Sequence, residues 1–65
     1  MATVVDCVER MLWFKQRCPE ADFDLKPYLF TARVPGREEP FRAMSLCGLM
    51  NILWTCCVGR PMRLL

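Results

Sequence analysis

Few residue combinations in this chain could carry out chemistry. The 65 residues include five cysteines but no histidine. No serine or cysteine nucleophile therefore has an imidazole base to activate it, and no carboxylate pair has a predicted apolar enclosure around it. The carboxylates of the central region are Glu20, Asp22, Asp24, Glu38 and Glu39. We expect a non-enzymatic protein with no catalytic residue and no small-molecule substrate.

A metal site is not expected from the cysteine spacing. Zinc needs four converging ligands, which usually come from closely spaced C-x2-C or H-x3-H pairs. The chain has neither pattern, and the adjacent Cys56 and Cys57 would point about 100° apart on a helix. We therefore expect no metal and no cofactor. The odd cysteine count also argues against a fully paired disulfide framework, and favours reduced cysteines that pack as small apolar side chains.

The cysteines also form two widely spaced pairs. Nine residues separate Cys47 from Cys57, and ten separate Cys7 from Cys18. On a helix each pair falls near one face. This spacing resembles the twin C-x9-C helical hairpins of the mitochondrial intermembrane space, and the resemblance implies two helices joined by two disulfides in an oxidising compartment. The first pair is one residue wider than that pattern, and the 28-residue connection between Cys18 and Cys47 is long.

Composition indicates that the chain needs external support. Apolar residues make up 54% of it, and its mean hydropathy is +0.16. A domain of this size buries only about 60% of the surface that its unfolded chain exposes, so small scaffolds rely on disulfides, metals or oligomerisation. The net charge of +2 is spread along the chain, which does not predict nucleic-acid binding. Asp6 and Glu9 argue against an N-terminal targeting peptide.

Residues 1–18 are predicted to form an amphipathic helix. Thr3 suits the N-cap with Asp6 three residues later, and Cys18 is followed by Pro19, which ends helices. Trp13 lies on the charged half of this helix. We interpret it either as stacking on Arg17 or as an anchor for a protein partner.

Residues 19–40 are predicted to be an extended, proline-rich arm. They contain four of the five prolines and show no helical period. Tyr28, Phe30, Ala32 and Val34 alternate with less apolar residues, which indicates a short strand. The sequence predicts no second strand to pair with it. The arm would therefore augment a partner's sheet or cross a neighbour's surface, or alternatively drape over the chain's own helices.

Residues 41–59 are predicted to form an apolar helix. Pro40 suits its first turn and Gly59 the position after its end. The 17 residues of 43–59 carry no charge, and would span about 26 Å against a hydrocarbon core of about 30 Å. This helix is a candidate for a single transmembrane span, with burial in a soluble protein core as the alternative.

One stripe of this helix carries small or weakly polar residues, as in helices that pack together in bilayers. Arginines flank the helix and suit lipid headgroups or acidic partners. The predicted headgroup or acidic-partner contacts are Arg42, Arg60 and Arg63, the last two in a short basic tail, 60–65. The predicted partner-binding residues are Trp13, Tyr28, Phe30, Ser45, Gly48, Asn51, Trp54 and Thr55.

These observations predict a mainly α chain without an independently stable globular fold. We expect an accessory subunit that stabilises a larger, membrane-embedded complex, with protein subunits and membrane lipid as partners and no nucleic acid. We expect it at a membrane, such as an inner mitochondrial membrane, or alternatively in the cytoplasm. Two alternative functions stay open. One is a soluble cellular or viral protein whose apolar helix docks in a partner's groove; the other is the disulfide-stapled hairpin.

Overall fold

The computed structural model describes residues 3–59 and shows a three-stranded antiparallel sheet packed against two helices. The elements in chain order are α1 (Val4–Arg17), β1 (Asp22–Lys26), β2 (Leu29–Arg33), β3 (Phe41–Ala43) and α2 (Leu46–Leu53), which continues as a π-helical turn (Trp54–Val58). The predicted mainly α fold is wrong, because the proline-rich middle of the chain forms a sheet.

Helix α1 begins at a capping box. The Thr3 hydroxyl accepts a hydrogen bond from the Asp6 N–H, and the Asp6 carboxylate accepts one from the Thr3 N–H, each at 3.1 Å. These reciprocal bonds satisfy N–H groups that have no partner inside the helix. The last helical residue is Arg17. Cys18 no longer has helical backbone angles, because the residue before a proline is disfavoured in the α conformation. The predicted capping box of Thr3 and Asp6 is present, and α1 lies within the predicted range 1–18.

Strands β1 and β2 form a hairpin, so the predicted extended arm at residues 19–40 is wrong. Lys26 pairs with Leu29 across a two-residue loop, Pro27 and Tyr28. Hairpins with loops this short usually need positive φ angles, yet among the described residues only Gly36 and Gly59 have them. The ring of Pro27 instead fixes the negative φ that begins an ordinary turn. The partner for the predicted strand is therefore the segment just before it.

The sheet has one apolar and one polar face, because side chains alternate along each strand. Strand β2 lies between β1 and β3. The cross-strand sets of the apolar face are Phe23, Ala32 and Phe41, and Leu25, Phe30 and Ala43. The cross-strand sets of the polar face are Asp22 and Arg33, Asp24, Thr31 and Arg42, and Lys26 and Leu29. The apolar face packs against the helices.

Helix α2 begins later than predicted. Phe41–Ala43 pairs with β2 as β3, and the Ser45 hydroxyl then caps α2 by accepting the Gly48 N–H at 3.0 Å. The π-helical turn ends at Gly59, where φ is 86°. In the part of the chain that the structure describes, no helix is long and apolar enough to cross a membrane. The predicted single-pass span is wrong, because β3 and the cap occupy residues that it required.

The chain builds its own core, contrary to the prediction that it has no globular fold of its own. The core contains residues from both helices and from β2 and β3. The buried apolar residues are Cys7, Phe14, Ala21, Ala32, Phe41, Leu49, Met50, Leu53 and Trp54. No buried side-chain nitrogen or oxygen among residues 3–59 lacks a hydrogen-bond partner.

A disulfide joins the two helices near their N-terminal ends. It connects Cys7 of α1 with Cys47 of α2, whose Cα atoms lie 5.3 Å apart. Further along, the rings of Trp13 and Trp54 have centroids 4.8 Å apart. Both contacts lie further towards the C-terminus on one helix as they do on the other, from Cys7–Cys47 to Trp13–Trp54. Helices α1 and α2 therefore run parallel. The resemblance implied a hairpin with two disulfides; the structure has parallel helices with one, and Cys18, Cys56 and Cys57 are free thiols.

Candidate interaction surface

An apolar groove lies between α1 and the edge strand β1. It encloses about 340 Å³ and is lined by Met11, Leu12, Lys15, Asp22, Phe23 and Leu25. Leu12 is 58% exposed and Leu25 is 44% exposed. We call this cavity and its lining the α1–β1 groove. Its apolar walls and few polar groups are typical of sites that bind side chains.

The groove exists because the apolar arc of α1 is wider than the surface that the sheet covers. Cys7 and Phe14 are buried, and the Phe14 and Phe23 rings meet edge-to-face with their centroids 6.3 Å apart. The arc continues past them to Leu12 and Val5, which remain exposed. On the sheet, β1 is an edge strand, and no further strand within residues 3–59 covers that side.

Lys15 closes one end of the α1–β1 groove. Its ammonium donates hydrogen bonds to the carbonyl of Pro19, at 2.9 Å, and to the carbonyl of Ala21. The aliphatic stem of the side chain lines the groove. The sequence places this lysine as the only charge on the apolar half of α1, and the structure supplies the reason: it ties α1 to the loop that leads into β1.

The free edge of β1 presents unpaired backbone groups beside the groove. In an antiparallel pair, residues that exchange hydrogen bonds alternate with residues that do not, and the pair that closes a two-residue loop exchanges them. Lys26, Asp24 and Asp22 therefore bond to β2. The N–H and C=O groups of Phe23 and Leu25 point to the opposite edge, where no described strand pairs with them.

Trp13 lies on the adjoining face of α1. A shallower depression of about 740 Å³ is lined there by Glu9, Leu12, Trp13, Lys15, Gln16 and Pro19. The Arg17 guanidinium carbon lies 3.8 Å from the centre of the Trp13 ring, which confirms the stacking predicted for this pair. Trp13 is still 37% exposed. Its role as a partner anchor stays a prediction.

The stripe predicted to bind partners on the closing helix is exposed at Ser45, Asn51 and Thr55, and two of its hydroxyls bond to the backbone of the same helix. Ser45 is the N-cap of α2, and a Cβ atom at Gly48 would lie 3.1 Å from the Ser45 hydroxyl. The Thr55 hydroxyl donates to the Asn51 carbonyl at 2.9 Å. Trp54 is only 7% exposed, faces α1, and has the Arg10 guanidinium carbon 5.1 Å from its ring centre.

The other predicted contact residues are scattered. Tyr28, at the hairpin tip, is 78% exposed, while Phe30 is half-buried on the apolar face of the sheet. Arg42 is exposed on the polar face, opposite Thr31, and does not flank a membrane helix. Arg60 and Arg63, with the predicted basic tail, lie outside the described residues.

The thiols and carboxylates do not assemble a reactive centre in the described part of the chain. Partial burial raises the pKa of the Cys57 thiol, and the neighbouring Cys56 raises it further. Such a shift disfavours the thiolate that nucleophilic chemistry requires. No group of three potential metal ligands converges within residues 3–59.

Comparison of the chain with protein-family models, with curated proteins and with solved structures found no match. The geometry of residues 3–59 therefore carries the functional argument. The main site residues that sequence reasoning missed are Leu12 and Leu25. The helical wheel places Leu12 on the apolar half of α1, but only the pairing of β1 reveals that Leu25 lies beside it.

Proposed function

We propose that the chain is a small, non-enzymatic interaction subunit that binds an extended segment of a protein chain along β1 as a fourth strand. The observation that carries this proposal is the free edge of β1 beside the α1–β1 groove. Adding a strand to an exposed sheet edge is a recurrent way to recognise extended segments.

Two kinds of contact support this binding mode. The outward N–H and C=O groups of Phe23 and Leu25 supply backbone hydrogen bonds. Alternate side chains of the incoming strand would point to the apolar face, where Leu12 and Leu25 are exposed. The occupant is thus an extended segment with an apolar residue at every second position.

Charge also favours such a segment over lipid. On the polar face of the sheet, β1 presents Asp22, Asp24 and Lys26, which are all exposed. Asp24 and Lys26 form an ion pair of 3.5 Å along β1, on the polar face. A segment carrying both charge signs on its polar side would therefore complement the edge. No helix among residues 3–59 is long and apolar enough to insert across a bilayer.

The alternative in which the closing helix docks in a partner's groove is not retained. Leu49, Met50 and Leu53 are fully buried in the chain's own core. Releasing them would expose the centre of a small domain, whose stability margin is only about 3–5 kcal/mol.

Site-specific photocrosslinking in producing cells tests the proposal. We would place a photoreactive phenylalanine at Leu12, in the groove, and as a control at Met44, which is 84% exposed elsewhere. We expect position 12 to crosslink to an extended, alternating segment, position 44 not to, and Leu25→Lys to reduce the position 12 product. In the isolated complex, the Phe23 and Leu25 amides should exchange hydrogen more slowly. No crosslink from position 12, or unchanged exchange, would contradict the proposal.

A further inference from the structure

We propose that the strand bound by β1 is β1 of a second copy of this chain, paired antiparallel about a two-fold axis at Leu25. This inference rests on the proposed function, because it uses the same edge and groove. The pairing joins two three-stranded sheets into one sheet of six strands. Each α1–β1 groove then faces the strand of the other copy.

The backbone geometry permits this pairing. The outward groups are those of Phe23 and Leu25, and an axis at Leu25 makes the two Leu25 residues an exchanging pair with two hydrogen bonds. The same register places the Phe23 N–H opposite the Pro27 carbonyl of the second copy. Pro27 has no N–H to donate in return, so the ladder ends where the hairpin turns away.

The charges of β1 are self-complementary in this register. Reversing the strand against itself places Asp24 of each copy opposite Lys26 of the other. Opposite charges directly across a sheet are favourable, and like charges are unfavourable. Each Lys26 would thus lie between its own Asp24, at 3.5 Å, and that of its neighbour. An edge strand of one sign would repel a second copy.

The same register covers apolar surface. The two Leu25 side chains would lie side by side on the apolar face, each next to an exposed Leu12. A pairing of two short strands buries less area than a permanent dimer usually requires. The expected complex is therefore a weak dimer whose formation depends on concentration.

Charge reversal on the full chain tests this inference, with the free thiols alkylated so that no disulfide links two copies. Sedimentation equilibrium would be run from about 1 µM to about 500 µM, a range that brackets weak association. We expect the parent chain to dimerise and Lys26→Asp to weaken the dimer about 10-fold or more. Arg33→Asp, the same charge change on β2, is the matched control and should leave the dimer within about 2-fold of the parent.

Rescue makes the test specific for the register. Combining Asp24→Lys with Lys26→Asp should restore the parent affinity, and mixing the two single variants should give a dimer that neither forms alone. Restoration by Asp22→Lys instead of Asp24→Lys would overturn the axis at Leu25. A dimer that is insensitive to all these changes would overturn the pairing itself.

The failure of this inference is distinguishable from failure of the proposed function. A parent chain that stays monomeric over the whole concentration range rules out the second copy as the occupant. Crosslinking from position 12 to a different protein in cells would then still support strand binding. Loss of every crosslink from position 12 would overturn both.

Discussion

The ring of Trp13 contacts both the ring of Trp54, with centroids 4.8 Å apart, and the guanidinium of Arg17, whose carbon lies 3.8 Å from the Trp13 ring centre. Trp54 in turn has Arg10 over its ring at 5.1 Å. The two tryptophan rings are tilted by 47° to each other. Together these contacts connect the partly exposed surface of α1 to the buried start of the π-helical turn. Such aromatic and cation–π contacts each contribute roughly 0.5–1.5 kcal/mol beyond area burial.

The two tryptophans should respond differently to truncation. Trp54→Ala removes a nearly buried ring and should lower the free energy of unfolding by about 3–5 kcal/mol. Trp13→Ala removes a ring that is 37% exposed, and should cost about 1–2 kcal/mol. Urea unfolding, followed by circular dichroism, measures both. Equal costs for the two substitutions would show that the stack is not ordered as described.

Reduction of the Cys7–Cys47 disulfide should destabilise the fold strongly. The bond closes a loop with a sequence separation of 40 residues. Loop-closure entropy then predicts a loss of about 4 kcal/mol, most of what a chain of this size has. We would compare urea unfolding of the parent with that of a Cys7→Ala/Cys47→Ala variant.

Mass spectrometry gives an independent check of this bond. Alkylation without reductant should label three cysteines, and alkylation after reduction should label all five. Five labels without reductant would contradict the disulfide.

The capping box of α1 should make stability depend on pH in the acid range. The hydrogen bonds from Thr3, backbone first and side chain second, lower the pKa of Asp6 below its usual 3.8. Because the folded pKa is the lower one, the stabilising effect is present above pH 3.8 and is lost as pH falls through the folded pKa. Asp6→Asn should therefore differ from the parent at pH 6, and the difference should shrink as pH falls below 3.8 towards the folded pKa.

Urea midpoints between pH 2.5 and pH 6 measure this effect. Glu9→Gln is the matched control, because it removes a carboxylate from the same helix without touching the cap. Thr3→Ala should cost about 1 kcal/mol at neutral pH. If the urea midpoints of the parent and Asp6→Asn differed by the same amount at every pH, the role assigned to the Asp6 carboxylate would be contradicted.

The pH dependence of Cys57 alkylation should reveal the effects of Cys56 and Arg37 on the pKa of the Cys57 thiol. Partial burial and the thiol of Cys56 raise the pKa of Cys57, whereas Arg37 opposes that rise. Since only the thiolate reacts, Cys57 should be modified more slowly at pH 8 than an ordinary thiol. Cys56→Ser should shift its rate profile to lower pH, and Arg37→Gln to higher pH. Rate profiles from mass spectrometry that move together, or not at all, would exclude these interactions.

How much of the fold could be predicted depends on whether the signal was local. Helix α1 is specified by Thr3, Asp6 and Pro19, which lie in the helix or within two residues of its ends, and the predicted capping box is present. Strand β2 was visible in its alternation. Its partner β1 also alternates, but Pro27 lies in the turn and resembles a break, and no glycine or asparagine marks the loop.

The closing segment was misjudged for a different reason. Strand β3 has only three residues, too few to show a period, and its last residue, Ala43, begins the uncharged run that continues into α2. Only tertiary pairing with β2 separates them. The candidate site depended on the same pairing, since Leu12 and Leu25 meet through the packing of α1 against an edge strand that sequence alone did not reveal.

The ring of chain closed between Cys7 and Cys47 contains the whole sheet, including the exposed hairpin tip at Tyr28. A protease that cuts this tip would thus produce two fragments that stay covalently attached. The nicked protein would migrate as a single species on a gel until a reductant is added, and could persist in that clipped form with both helices still tethered.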